Sequence, residues 1–289
     1  MNKTAEQVAQ MATNALLYEV NLYPKPGLVD PIDNGAHHDM DVNTFIRSAT
    51  ALTPSFYQFT LSGLTFSKTA PLTELFETVR RIGQQAEKDM FAATLGINTH
   101  KGAIFSFALF CAGIGYTLNT EKTILPQWTE QLTTKTFQTI QAMTIHLDQD
   151  FQNLDTKPNL TYGEKLYLDY GIKGIRGEAA SGYPALQTVG LPFMRQTQEV
   201  ALQQRLLDLF LTLLVNTTDS NIIHRSNLAT LTAVQKDAAA LIAKGGAQKL
   251  GRQPFDAMNQ AFVKLNISPG GTADLIAASV FFGFLEQLF

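Results

Sequence analysis

Apolar residues along this chain recur mainly with a helical period. Val8, Met11, Ala12, Ala15 and Leu16 lie three or four positions apart or side by side, a spacing that gathers side chains on one face of an α-helix. Thr4 followed by Gln7 predicts a capping box at its start, and Pro24 and Pro26 predict that it ends near Asn21. Further helices are predicted from about Asn43, over about 71–95, from about Lys101 and over about 126–148. The same pattern returns over about 197–215, 226–244, 252–264 and 271–287, and the polar stretch 149–164 reads as a surface loop. No segment alternates apolar and polar residues between turn signals, as a half-buried strand would. Neither a repeat nor a dividing linker interrupts the pattern. It predicts an all-α protein, a single compact multi-helix domain over residues 1–289.

One predicted helix is apolar all round. Gly102 to Thr120 carries no charge, which approaches the length of a membrane span. It also contains Ser106, Gly113, Gly115, Thr117 and Asn119 and lacks flanking basic clusters, so a buried core helix is expected and no membrane. The polar first ten residues do not read as a signal peptide.

Composition narrows the picture. Hydrophobic residues make up 45% and charged residues 16% of 289, enough for an extensive core. The formal net charge of −3 supplies no basic field for nucleic acid or an anionic membrane, so an anionic ligand must be held by a local cluster. Cys111 is the only cysteine, which excludes a disulfide framework, fits a reducing, cytoplasmic compartment and reads as a core thiol.

Glycine and polar residues concentrate at helix junctions, in PKPGLVD…GAHHDMD (24–41), GINTHKGAIF (96–105), GIKGIRGEAASGYP (171–184), TTDSNIIHRSN (217–227) and NISPGGTADL (266–275). Glycine at a helix start lets a ligand approach the backbone, and the free N–H groups and partial positive charge there suit phosphate. THKGA and SPGGTAD both look like such starts. Lys25, Lys101, Lys173, Arg176 and Arg225 add local positive charge in the same segments. Asp30, Asp39, Glu178, Asp219 and Asp274 could hold Mg²⁺ on a phosphate or move a proton, although Asp219 and Asp274 could equally be helix caps. His37, His38, His100 and His224 lie in these segments, and His146 is assigned to structure.

Common nucleotide and hydrolase motifs are absent. THKG lacks P-loop spacing, the glycines of GIKGIRG are three apart with no strand before them, and there is no HExxH, CxxC or GxSxG. His38 and Asp39 are similar to the pair of helical metal-dependent phosphohydrolases, but those need a further histidine upstream and none precedes His37.

Taken in order, the five segments resemble the triphosphoribosyl-dephospho-CoA synthase family, whose members show PKPGLVD…GAHxDM, GxNTHKGxxF, RGExxxGFP, DTNxxHR and SPGGxADL. The resemblance runs from about Leu17 to Leu285. Tyr183 stands where the family usually has Phe, Ser220 where it has Thr, and Ser226 and Asn227 where it has two glycines. The resemblance implies an all-helical fold. It also implies a reaction in which ATP and 3′-dephospho-CoA give 2′-(5″-triphosphoribosyl)-3′-dephospho-CoA and adenine. That product is the precursor of the prosthetic group of the acyl carrier protein in citrate lyase or malonate decarboxylase, attached by a separate holo-acyl-carrier-protein transferase.

Such chemistry is glycosyl transfer at ribose C1 with oxocarbenium character, so it needs a base, help for the leaving purine and cations on the triphosphate. Glu178 or Asp39 is the expected base, and His100 the expected aid to the leaving purine. Lys25, Gly27, Lys101, Gly102, Arg176, His224, Arg225, Ser268, Gly270 and Gly271 are the expected phosphate-binding positions. Asp219 and Asp274 are the expected ligands of Mg²⁺ arriving with ATP. The alternative is a metal-dependent nucleotide hydrolase on a helical scaffold. The C-terminal run ASVFFGFLEQLF is either core or the face of a homodimer.

Overall fold

The computed structural model describes residues 2–152, 154 and 157–289. Among these, fourteen α-helices and no strand are found, as the helical periodicity predicts. The first, α1 (Lys3–Val20), has its N-cap two residues before the Thr4 of the predicted capping box. Asn2, a strong N-cap residue, accepts the Ala5 N–H at 3.1 Å and adds the extra half-turn. Next, α2 (Val42–Leu64) opens on a capping box of Asp41 and Thr44, followed by α3 (Leu72–Ala93), which buries Leu75, Val79, Ala86 and Met90 along one stripe.

The uncharged helix is α4 (Lys101–Glu121). It is long and apolar enough to cross a membrane, yet 78% of its most apolar stretch is buried inside the protein. Its backbone lies directly against α2. A Cβ on Gly63 would sit 2.0 Å from the Ala112 carbonyl oxygen, and one on Gly115 2.2 Å from that of Thr60, so only glycine permits this approach.

The predicted helix over 126–148 is broken. Pro126 sits in a 3₁₀ turn, α5 spans Glu130–Met143, and Thr144 ends it by donating its hydroxyl to the Ile140 and Ala179 carbonyls. The stretch read as surface loop falls partly outside the described residues, but Phe151 and Leu154 within it are buried. Two short helices follow in segments read as loop, α6 (Tyr162–Tyr170) and α7 (Gly174–Ala180).

The remainder is α8 (Leu191–Gln196), α9 (Leu202–Asn216), α10 (Ser220–Arg225), α11 (Leu228–Ala243), α12 (Gly246–Leu250), α13 (Gln253–Lys264) and α14 (Gly270–Leu285). Buried almost throughout, α14 puts the C-terminal apolar run mainly in the core, with Phe289 half exposed. It crosses the core beside α4 through Phe107–Phe281 and Phe110–Phe282, each pair with ring centroids 5.3 Å apart. Cys111 is fully buried, and burial pushes its thiol up, as expected of a core cysteine.

Candidate active site

The loop between α1 and α2, the starts of α4, α10 and α14, and one face of α7 enclose a cavity of about 970 Å³. The five glycine-bearing segments therefore meet in space although they are scattered along the chain. Glu178, Asp39, His100, Lys25, Lys101, Gly102, His224, Arg225, Ser268, Gly270, Gly271, Asp219 and Asp274 all line it.

Two expected positions do not. Helical geometry turns Gly174, Gly177 and Glu178 of α7 toward the cavity, which sends Arg176 to a separate groove beside Phe105, where it pairs with Asp150 at 3.5 Å. Gly27 is a packing residue. Its φ is +73°, its N–H donates to Asn259 Oδ1 at 2.8 Å, and a Cβ there would meet the Ile267 carbonyl oxygen at 2.3 Å. Asp30 likewise organises the loop, accepting the backbone N–H groups of Lys25, Ile32 and Asp33.

Asp219 is the joint between two helices. Its Oδ1 accepts the Asn221 and Ile222 N–H groups at the start of α10, and its Oδ2 accepts the N–H and hydroxyl of Thr272 at the start of α14, at 2.7 and 2.9 Å. Four donors occupy a carboxylate with about four acceptor positions, so Asp219 is committed to the protein and not to a metal. The glycines of SPGG serve this junction, since a Cβ on Gly270 would meet Asn221 Nδ2 at 2.7 Å and one on Gly271 the Asp219 carboxylate at 3.3 Å.

Asp274 is the opposite case. It lies one turn into α14 against Gly102, where a Cβ would come within 2.4 Å of its Oδ2, and it accepts no hydrogen bond among the described residues. Burial, with Glu19 and Asp219 nearby, pushes its carboxyl well above the usual range. Glu178 is also raised by burial, held back by the Ala185 N–H at 3.2 Å.

The cations divide similarly. Lys25 lies under the cavity, 2% exposed, with its ammonium donating to Glu19 Oε1 at 2.5 Å and the Glu19 carbonyl at 2.9 Å, so its charge is balanced from behind. Lys101 stands at the mouth, 56% exposed, 3.1 Å from Glu87. Arg225 donates to the Ala36 carbonyl, Asn266 and His37 Nδ1, pinning the α1–α2 loop to α10. An arginine cannot accept, so the neutral His37 ring carries its proton on Nε2, 2.9 Å from Ser268 Oγ. Burial and Arg225 lower His37 to about 4. Asp39 is 64% exposed at the rim, 3.9 Å from His37 Nδ1, and the His224 ring lies 3.8 Å from that of Tyr162.

At the turn where the family usually has two glycines, Asn227 is the N-cap of α11, accepting the Thr230 N–H at 2.9 Å, and neither Ser226 nor Asn227 has positive φ. Glycine freedom is not required there, and asparagine adds a cap. Sequence reasoning missed Glu19 and Ser48. The signal for Glu19 was present, since a charged residue continues the buried stripe of Val8, Ala12, Ala15 and Leu16 at helical spacing.

Among the described residues, no group of three or more histidine, cysteine or acidic side chains is placed to hold a metal. Mg²⁺ bound with a triphosphate needs only one or two carboxylates, its other ligands being phosphate and water. Asp274, which accepts no hydrogen bond among the described residues, fits that requirement, and Asp219 does not.

Paired helix starts, carboxylates and rim cations around one large cavity make this helical chain one built to receive an anionic ligand. Comparison with known sequences narrows the class. The chain belongs to the ATP:dephospho-CoA triphosphoribosyl transferase family, whose sequence model matches residues 5–289. It is 42% identical over 290 residues to a protein of Streptococcus equi subsp. equi, covering 99% of this chain and 98% of that one. It is 41% identical over 301 residues to one of Streptococcus mutans, covering 99% of each. A Streptococcus pyogenes protein is 42% identical over 289 residues, covering 97% of each. All three are named as probable 2-(5″-triphosphoribosyl)-3′-dephosphocoenzyme-A synthases. No solved structure matches the chain.

Proposed function

We propose that this protein transfers the triphosphoribosyl group of ATP to the 2′-hydroxyl of 3′-dephospho-CoA, releasing adenine. The carrying observation is that the five family segments converge on one cavity in a chain matched end to end by the family. A bond forms between the 2′-oxygen and ribose C1, and the bond from C1 to the purine breaks. The acceptor's proton passes to a base, and adenine leaves with the bonding electrons and takes a proton from solvent. Glu178 is the better-placed base, half-buried on α7 where burial raises its carboxyl and makes it the stronger proton acceptor, whereas Asp39 stands exposed at the rim. Lys101, Arg225 and the start of α4 at Gly102 receive the triphosphate. Asp274 would hold the Mg²⁺ that arrives with ATP, which would neutralise charge on the phosphates.

The product is the prosthetic-group precursor of the citrate lyase acyl carrier protein, which a separate transferase attaches. A cytoplasmic setting fits the single buried cysteine. Neither the family nor the relatives support the nucleotide-hydrolase alternative.

The test is to incubate the protein with Mg·ATP, with and without 3′-dephospho-CoA, following adenine by chromatography and the CoA species by mass. Adenine released only with dephospho-CoA, beside a mass gain equal to triphosphoribose, is expected. Adenine or phosphate released without the acceptor would sink the transferase reading. Glu178→Gln is expected to lower kcat by about 10²–10⁴-fold with the fold retained, and near-normal turnover would exclude Glu178 as the base.

A further inference from the structure

His100 is held from behind by two hydroxyls to which the reaction assigns no role, that of Thr99 beside it in the NTHKG segment and that of Ser48, outside all five segments. Its side chain is buried, 4% exposed, in the cavity wall at the start of α4. Its Nδ1 lies 2.6 Å from Ser48 Oγ on α2, and the Thr99 hydroxyl donates to the same oxygen at 2.7 Å. Its Nε2 has no partner among the described residues.

The protons of this chain can be assigned one by one. The Thr99 hydrogen goes to Ser48. Ser48 is fully buried, and the acceptor within reach of its own hydrogen is His100 Nδ1. A ring nitrogen that accepts carries no proton, so the neutral imidazole is protonated on Nε2. Phe45 packs edge-on against the ring at 5.1 Å, and Met90 Sδ accepts the His100 backbone N–H at 3.3 Å, so ring and backbone are both fixed.

We propose that Ser48 and Thr99 are positioning residues that hold His100 as a neutral Nε2–H donor to a ring nitrogen of the departing purine. This rests on the reaction proposed above. Purine is favoured over phosphate by the surroundings, since Phe45, Met40, Leu28 and Val29 bring apolar walls to the cavity, Lys101 stands at the rim, and the buried Lys25 near the ring is already paired with Glu19. The hydrogen bond strengthens as negative charge gathers on the purine during cleavage, and no proton leaves the ring. A fixed neutral donor needs no reorganisation at that moment, which is the use of a relay that dictates the tautomer.

The test pairs ¹⁵N-histidine NMR of the full-length protein with steady-state kinetics of adenine release. His100 is assigned with His100→Gln and expected as a single Nε2–H tautomer. Ser48→Ala is expected to give mixed tautomers and a kcat lower by about 10–100-fold, with KM for both substrates within about twofold. Thr99→Ser is expected to keep the wild-type tautomer and rate, and Thr99→Val to lose part of both. Should Ser48→Ala not fold, the half-buried Thr99 pair carries the test. An unprotonated Nε2 in the wild type, or Ser48→Ala and Thr99→Val with unchanged kcat, would overturn the proposal. A wild type that releases no adenine would instead remove the assigned reaction, while the tautomer in the same sample still decides the relay.

Discussion

Two helix starts at the same cavity carry the same kinds of residue and use them in opposite ways. Where α10 meets α14, every acceptor of Asp219 is taken, and Gly270 and Gly271 make room for that closure. Where α4 begins, His100 Nε2 is unpartnered and Asp274 faces Gly102 with no donor of its own among the described residues. The first junction is architecture and the second is left open toward a ligand. A buried carboxylate with all its hydrogen bonds made fixes the backbone, whereas one without them retains its capacity for something that arrives.

The contrast breaks most readily at Asp219. Asp219→Ala strips caps from two helix starts and leaves buried donors unpaired, so a loss of about 3 kcal/mol of stability is expected in chemical denaturation. An unchanged midpoint would show that the junction is not closed by this side chain. Asp274→Asn is expected to do the reverse, lowering turnover by about 100-fold, or about 2.7 kcal/mol in barrier, with stability unchanged or raised. A loss of stability matching that of Asp219→Ala would erase the distinction.

The outer layer of the closed junction is His37, between Arg225 and Ser268. Its value is lowered from 6.5 to about 4, so between those values the unfolded chain takes up a proton that the folded protein refuses. Stability from this group is full above pH 6.5 and declines as the pH falls toward 4, by about 2 kcal/mol after allowing for partial solvent access. His37→Gln should flatten that part of the stability–pH curve, and an identical curve would place the acid sensitivity elsewhere. The smallest effect is expected behind the open junction. The Tyr183 hydroxyl is buried without a partner among the described residues, so Tyr183→Phe, the usual family residue, should leave stability equal or raise it by up to about 1 kcal/mol. A clear loss would show that the hydroxyl has a partner.

The long helices were legible because each buries a stripe at regular spacing or, as in α4 and α14, is apolar nearly all round. Those missed, α6, α7, α8, α10 and α12, run to nine residues at most, too few for the stripe to repeat. The site was legible as a crowd of glycine and charge at junctions, because apolar helices leave those residues nowhere else to go. Their individual commitments were not. Whether α7 turns Arg176 or Glu178 inward depends on where that helix begins, and whether Asp219 or Asp274 is saturated depends on which helix start packs beside it. Ser48 was hidden because a serine in a helix stripe carries no mark of its partner.

The start of the open junction belongs to α4, which is buried along most of its length and lies backbone to backbone against α2. A wall anchored in that way cannot swing aside by itself, since freeing it would expose the centre of the core. Amides in the second turns of α4 and α14 should exchange with deuterium only as slowly as the whole protein unfolds. Those of the short α6 and α7 should exchange sooner.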